Sequence, residues 1–502
     1  MKKIQNAILL SVEKVGNALP NPAALFGLFA LIVLVLSGIG SYFHWSGLHP
    51  ATGDPIGVVN LLSKEGLHRI LLEMVNNYTS FAPLGIVMVA LLGIGVAESS
   101  GLVKAVIKAL LVKAPRSSLT FMVVLTGILS NAASDVGYLL IIPLAGVIFH
   151  SLGRHPVAGM AAAFAGVSGG FSANLLIGSI DPLLAGLSTE AARIIDPDYY
   201  VMPTANYYFM VVSTLFIAFA GTWVTKAIVE PRLGSYTGDV EQEDISTITP
   251  KEIRGLVWAG IAFLLFLIIF AIGLIPQNGF LRGPDQTVLH SPLLKGFIAV
   301  LFIMAATCGV VYGYVAGTFK NHNDVIAGMN NSFKGLVSFL VLVFFASQFV
   351  AWFKWSNLGL LVAVQGAAWL QSANLGLVPL VVLFIILSGF INMFMGSASA
   401  KWAIMGPVFI PMFMLLGYSP ELSQAVFRIG DSVTNIISPM MSFFALIIVY
   451  FQKYDAKAGL GSLMATMLPY TITFFIVWTL LMIAWILIGL PLGPEAGIYY
   501  SR

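Results

Sequence analysis

The sequence predicts an all-α polytopic membrane protein, with about nine transmembrane helices plus two re-entrant helical hairpins arranged as an inverted repeat. Three observations predict it. The 502 residues are 58% hydrophobic and 9% charged, with a mean hydropathy of +0.92, whereas a soluble domain carries about 25% charged residues. Nine stretches supply the roughly 20 apolar residues that cross a bilayer. Two more are too long for one helix and are interrupted by small polar residues.

In chain order, residues 1–21 mix charge with apolar residues at helical spacing and have no small-residue cleavage site; they read as an amphipathic helix on the cytoplasmic surface. Spans follow at about 22–44 and 81–100. Residues 118–153 form the first predicted hairpin, with "LSNAASDVG" (129–137) at its tip. The span at 157–187 is broken by "GGFSANLLIGSIDP" (169–182), and 207–229 closes a first repeat covering 81–229. The linker 231–252 is acidic and turn-rich. Spans at 255–275, 293–317 and 335–355 come next. Residues 375–415 form the second hairpin around "MGSASAKW" (395–402). The span at 422–450 is broken by "RIGDSVTNIISP" (428–439), and 465–491 ends a second, inverted repeat covering 335–491.

Charge agrees with this layout. With the N-terminus inside, most of the 25 Lys and Arg residues fall in cytoplasmic segments, as the positive-inside bias requires, and only Lys401 and Arg428 are left at membrane depth. The net charge of +3 is small and dispersed, so nucleic acid is not an expected partner. The single cysteine, Cys308, excludes an intramolecular disulfide framework, and the scattered His residues suggest no metal centre.

Inverted repeats with interrupted helices at matching positions point to the binding site of a secondary transporter. Unpaired backbone groups are costly in hydrocarbon, so such breaks survive around a cavity or inside protein. Their free N–H groups suit an anion. Their carbonyls, with Asn and Asp side chains, suit Na⁺. Asn131, Asn174, Asn392 and Asn435 mark the four interruptions, and with Asp135, Asp181 and Asp431 they are the candidate residues for a coupling Na⁺ or H⁺. Simple helix capping by the Asn residues is the alternative.

Charges inside a membrane are expensive and mark function by default. Arg428 and Asp431, three residues apart, are expected to pair on one helix face; Arg428 could release that partner for a substrate carboxylate. Trp402 is expected to offer a flat wall to an aromatic substrate, and the small residues 396–400 to let backbone reach it. No hydrolase elbow, zincin motif or P-loop occurs. An intramembrane aspartyl hydrolase and a channel are weaker alternatives, because Arg428 beside a carboxylate opposes a shared-proton dyad.

The stretches "LSNAASDVGYLLIIPL", "GFSANLLIGSIDPLLAG", "MGSASAKWAIMGPVFIPM" and "FRIGDSVTNIISPMMSFF" resemble the AbgT family of p-aminobenzoyl-glutamate transporters over essentially the whole chain. That resemblance implies a homodimer in the bacterial inner membrane. It implies transport of p-aminobenzoyl-glutamate or related aromatic carboxylates such as p-aminobenzoate, with export of sulfonamides in some members. It also implies a substrate path lined by Asp181, Asn392, Ser399, Trp402, Pro420, Arg428, Asp431 and Pro439. A Na⁺-coupled dicarboxylate importer of the wider ion-transporter superfamily is the rival within transport. The expected partners are then a small aromatic carboxylate, the lipid bilayer and a second copy, with no cofactor beyond the coupling ion.

Overall fold

The computed structural model describes residues 22–48, 55–112, 115, 117–133, 137–238, 240, 248–283, 291–334 and 337–500. The amphipathic segment 1–21 and Asp135 lie outside the described residues, as does part of the 231–252 linker. The described chain is almost entirely helical. Its one small sheet pairs Ser46–Leu48 antiparallel to Pro55–Gly57.

Among the described residues, seven helical runs are long and apolar enough to cross a bilayer: Pro22–Tyr42, Lys64–Ser99, Tyr207–Leu233, Pro250–Leu274, Phe297–Ala316, Ala398–Leu415 and Leu460–Ile488. An eighth candidate is a pair bent by 50°, His322–Lys334 with Phe339–Trp355. The spans expected to be broken, 157–187 and 422–450, are interrupted. The first runs from Pro156–Phe164 into a π turn at Ala165–Gly169, leaves helical geometry, and resumes at Ile180–Ala192; the second is split into Pro420–Asn435 and Phe444–Gln452. Helices Lys64–Thr79, Leu102–Val112 and Leu358–Ser372 were not expected from the sequence.

The stretch 118–153 contains short helices Leu119–Leu129 and Ile142–Ser151, the first followed by a 3-10 turn at Ser130–Ala133 and the second preceded by a π turn at Gly137–Ile141. The stretch 375–415 folds as Leu377–Asn392 and Ala398–Leu415 around a five-residue turn. Small residues let these arms approach the broken spans. A Cβ on Gly166 would lie 2.3 Å from the Val124 carbonyl oxygen, and one on Gly430 would lie 2.3 Å from that of Ile385. Matching backbone contacts therefore join arm to broken helix in both parts of the chain.

The parts also interlock. Helix Ala398–Leu415 packs on Ile180–Ala192, and Pro420–Asn435 packs on both Ile180–Ala192 and the π turn at Ala165–Gly169. The Ser172 N–H donates to Ser432 Oγ at 3.1 Å, so the first break meets helix Pro420–Asn435 directly. Around this centre, Pro250–Leu274 leaves Leu264, Leu265, Ile268 and Ile272 exposed, the surface a bilayer covers without penalty.

Candidate functional site

Helix Pro420–Asn435 organises the site. Ser419 Oγ caps it by accepting from the Leu422 N–H at 3.1 Å, and Pro420 takes the first helical position, where a missing N–H costs nothing. Glu421, Gln424, Arg428, Asp431 and Asn435 recur at three- and four-residue spacing and form one polar stripe. All five are buried.

Arg428 and Asp431 do not pair with each other. Arg428 Nη1 lies 2.7 Å from Asp181 Oδ1 on the other broken span. Asp431 forms its ion pair with Lys401 on the second hairpin arm. The i,i+3 spacing put both side chains on one face, but adjacent helices present stronger partners there. Asp181 sits in the first turn of Ile180–Ala192, and its Oδ2 accepts from the Gly178 N–H at 2.7 Å. The Arg428–Asp181 contact is an ion pair by distance but lacks hydrogen-bond alignment, and the buried Arg428 Nε has no partner. A guanidinium can present a two-pronged fork to a carboxylate; here that fork is only partly used.

Lys401, one of the largest fully buried side chains, also donates from Nζ to Asn392 Oδ1. Asn392 Nδ2 lies 2.8 Å from the Asp431 carbonyl oxygen, Thr434 Oγ1 and Asn435 Oδ1. Ser438 Oγ donates to the Asn392 carbonyl at 2.9 Å, and Pro439 follows, half-buried, in the break after the helix. Asn392, Asp431 and Asn435 thus come together.

Asn131 and Asn174 act locally. Asn131 Nδ2 donates to its own helix at the Ile128 carbonyl (3.1 Å), and Asn174 Oδ1 accepts from the Leu175 N–H at 2.9 Å. The two segments still approach: a Cβ on Gly178 would lie 3.0 Å from the Asn131 carbonyl oxygen. Among the described residues no cluster of three or more His, Cys, Asp or Glu side chains could hold a metal.

Trp402 is not an open wall. It is fully buried and stacks on Phe427, with centroids 4.5 Å apart and planes at 27°. Its Nε1–H donates to Ser188 Oγ at 2.9 Å; Ser188 donates to Gln424 Oε1 at 2.7 Å, and Gln424 Nε2 to Asn206 Oδ1 at 2.8 Å. Asn206 Nδ2 then donates to the Glu421 carbonyl at 2.9 Å, and the Tyr199 hydroxyl reaches the Glu421 carboxyl at 3.0 Å. Ser188, Asn206, Gln424 and Phe427 were not among the residues expected from the sequence; the polar stripe was the signal for Gln424.

The small residues of the hairpin turn also serve packing. A Cβ on Gly396 would lie 2.2 Å from the Met440 carbonyl oxygen, so the turn rests against the second break. Ser397 Oγ caps the returning helix, accepting from the Ala400 N–H, and is 3.3 Å from Ser399 Oγ. Ser397 is exposed and Ser399 half-buried. An apolar groove lined by Val33, Trp45, Phe353, Leu361, Trp369 and Met412 contains none of these charges.

Residues 7–500 match the family model described as "AbgT putative transporter family". The p-aminobenzoyl-glutamate transport protein of Escherichia coli (strain K12) is 40% identical over 489 residues, covering 97% of this chain and 96% of that protein. The crystal structure of the Alcanivorax borkumensis YdaH transporter matches with a TM-score of 0.90 at 46% identity, over 95% of this chain and 100% of that one. Neisseria gonorrhoeae MtrF, described as illuminating a class of antimetabolite efflux pumps, matches with a TM-score of 0.93 at 49% identity, over 97% of this chain and 100% of that one.

Proposed function

The chain belongs to the AbgT putative transporter family and is a multi-pass membrane transporter rather than an enzyme; from that premise we propose that it carries p-aminobenzoyl-glutamate or p-aminobenzoate-like aromatic carboxylates across the bacterial inner membrane, coupled to Na⁺ or H⁺. The observation that carries the reading is Arg428: a buried guanidinium with a bare Nε and a poorly aligned contact to Asp181. An incoming carboxylate takes the fork two-pronged and displaces Asp181.

Charge balance supplies the coupling. Asp181, Arg428, Asp431 and Lys401 are all buried and sum to zero. Adding a substrate carboxylate leaves one negative charge in excess, and leaving a buried charge uncompensated costs about 3–5 kcal/mol. A proton on the displaced Asp181, or a Na⁺ beside it, removes that cost, so substrate and cation load together. In this scheme the cavity opens by rearranging Trp402, whose ring then faces the substrate's aromatic ring. The protein assembles as a homodimer with its N-terminus cytoplasmic, and export of sulfonamide antimetabolites uses the same path in the opposite direction.

The test is uptake of labelled p-aminobenzoyl-glutamate and p-aminobenzoate into proteoliposomes under separate Na⁺ and pH gradients. Gradient-driven accumulation, abolished in Arg428→Ala, supports the reading. Movement of a simple dicarboxylate but of neither aromatic compound would replace it with the dicarboxylate-importer reading.

A further inference from the structure

We propose that Glu421 is a further proton-binding site: its carboxyl holds a proton while the Ser419 end of helix Pro420–Asn435 is sealed, and releases it to water when that end opens. The other two buried carboxylates of the site each have a cation, Arg428 for Asp181 and Lys401 for Asp431. Glu421 is 5% exposed, and no Lys or Arg among the described residues forms an ion pair with it. Taking an unpaired carboxylate out of water is so costly that such a group takes up a proton instead. The helix N-terminus favours the anion, but that effect is smaller than the loss of hydration.

The hydrogens around the carboxyl point the same way. Its two oxygens lie 3.2 and 3.0 Å from one donor, the Tyr199 hydroxyl. A phenol has one hydrogen, and burial pushes this phenol well above its usual pKa range, so the hydrogen stays on it. That hydrogen serves one carboxyl oxygen. The other contact brings two oxygens together with no hydrogen between them unless Glu421 supplies one. A carboxylic acid does so, accepting from Tyr199 through one oxygen and donating back through the other. Ser419 offers no second donor, because its hydroxyl hydrogen goes to the Gly497 carbonyl at 2.7 Å. Charges on the elements packed around this helix are engaged elsewhere. Arg193 pairs with Glu190 at 3.2 Å, Asp196 accepts from the Tyr500 hydroxyl at 3.1 Å, and Lys401 pairs with Asp431. Helices Leu377–Asn392 and Leu460–Ile488 and the π turn Ala165–Gly169 carry no charged residue. The sealed end is closed by neutral ties, from the Ser419 N–H to the Ile498 carbonyl at 3.0 Å and from the Tyr500 N–H to the Gly417 carbonyl at 2.9 Å. A charge appearing at Glu421 therefore acts on the end of the helix that also carries Arg428. The inference goes beyond the carrier reading and does not rest on the substrate.

A glutamate in water titrates at about pH 4.3. Above that pH each opening of this end releases one proton, so opening becomes easier by up to about tenfold per pH unit until the sealed state ionises as well. Two measurements on the purified full-length protein in lipid test this. Neither uses substrate, so this inference and the carrier reading fail separately. Infrared difference spectra between mildly acidic and alkaline buffer are expected to show loss of a neutral carboxyl C=O band that is missing from Glu421→Gln. Identical spectra from the two proteins would overturn the proposal. Amide hydrogen exchange over residues 417–424, corrected for the intrinsic effect of pH on exchange, is expected to speed up with pH in the native chain and to stay slow in Glu421→Gln. Equal pH dependence in both would also overturn it. If Glu421→Gln does not fold, Tyr199→Phe decides: the acid keeps its own hydrogen and loses its partner, so the C=O band is expected to shift and persist, and an unshifted spectrum would overturn the proposal.

Discussion

Replacing Asp181 with Asn tests the site at its most informative point. Asp181 and a substrate carboxylate are proposed to compete for one guanidinium. In the native chain, substrate must break the 2.7 Å Arg428 Nη1–Asp181 Oδ1 contact before it can bind. A hydrogen-bonded contact to a charged group contributes about 1.5–3 kcal/mol net, and the poor alignment here places it toward the lower end. Removing the competitor while keeping the shape should therefore tighten binding by roughly tenfold or more, since about 1.4 kcal/mol corresponds to a factor of ten. The Asn variant also holds Arg428 uncompensated when empty, so the substrate's own charge restores neutrality and no accompanying cation is needed. Equilibrium binding of p-aminobenzoate to the purified variant should be tighter, while proteoliposomes should lose gradient-driven accumulation and keep only equilibrative movement. A folded Asp181→Asn protein that binds more weakly than the native chain would refute the competition, and one that still concentrates substrate would refute the coupling scheme.

Trp402→Ala should cost about 3–5 kcal/mol, because a fully buried indole is removed from its stack on Phe427, whereas Trp402→Phe should cost about 1 kcal/mol for the lost Ser188 hydrogen bond; chemical denaturation distinguishes them, and equal costs would argue against the packing account. Gly396→Ala should lower Tm and slow transport, since its Cβ would meet the Met440 carbonyl at 2.2 Å, while Gly376→Ala, with nothing within 4 Å, should do neither. Burial lowers the pKa of His155 from its ordinary 6.5, partly offset by Asp455, and its neutral Nδ1 caps helix Pro156–Phe164 by accepting from the Val157 N–H at 3.2 Å. The folded state therefore prefers the neutral ring: the contribution is present above about pH 6.5 and is lost as pH falls below it. Thermal scans should show the native chain losing more stability on acidification than His155→Asn, a cap that does not titrate.

The membrane class and the polar breaks were readable from composition and from a few interrupted apolar runs, because lipid tolerates so little polar backbone that any interruption stands out; the family was legible only through the resemblance of four long motifs. The hydrophobic count also has a physical limit. The broken helix at 156–169 is surrounded by protein, so its apolar sequence reflects a buried core and not contact with lipid. Where nine spans were expected, two of them broken, the described residues hold seven long apolar helical runs, a bent pair and shorter apolar helices.

Site residues were legible one at a time. Asp181, Arg428, Asp431, Lys401 and the Asn residues stood out because each is expensive to bury. Their partnerships were not legible. A helix repeats every 3.6 residues, so the sequence by itself determined that Gln424, Arg428, Asp431 and Asn435 share a face. Which groups that face meets depends on the helices packed against it. Only the tertiary structure decided that Arg428 turns to Asp181 across some 250 residues of chain and that Asp431 turns to Lys401, because ion pairs form with the nearest oriented partner in space and sequence spacing measures distance only along one helix.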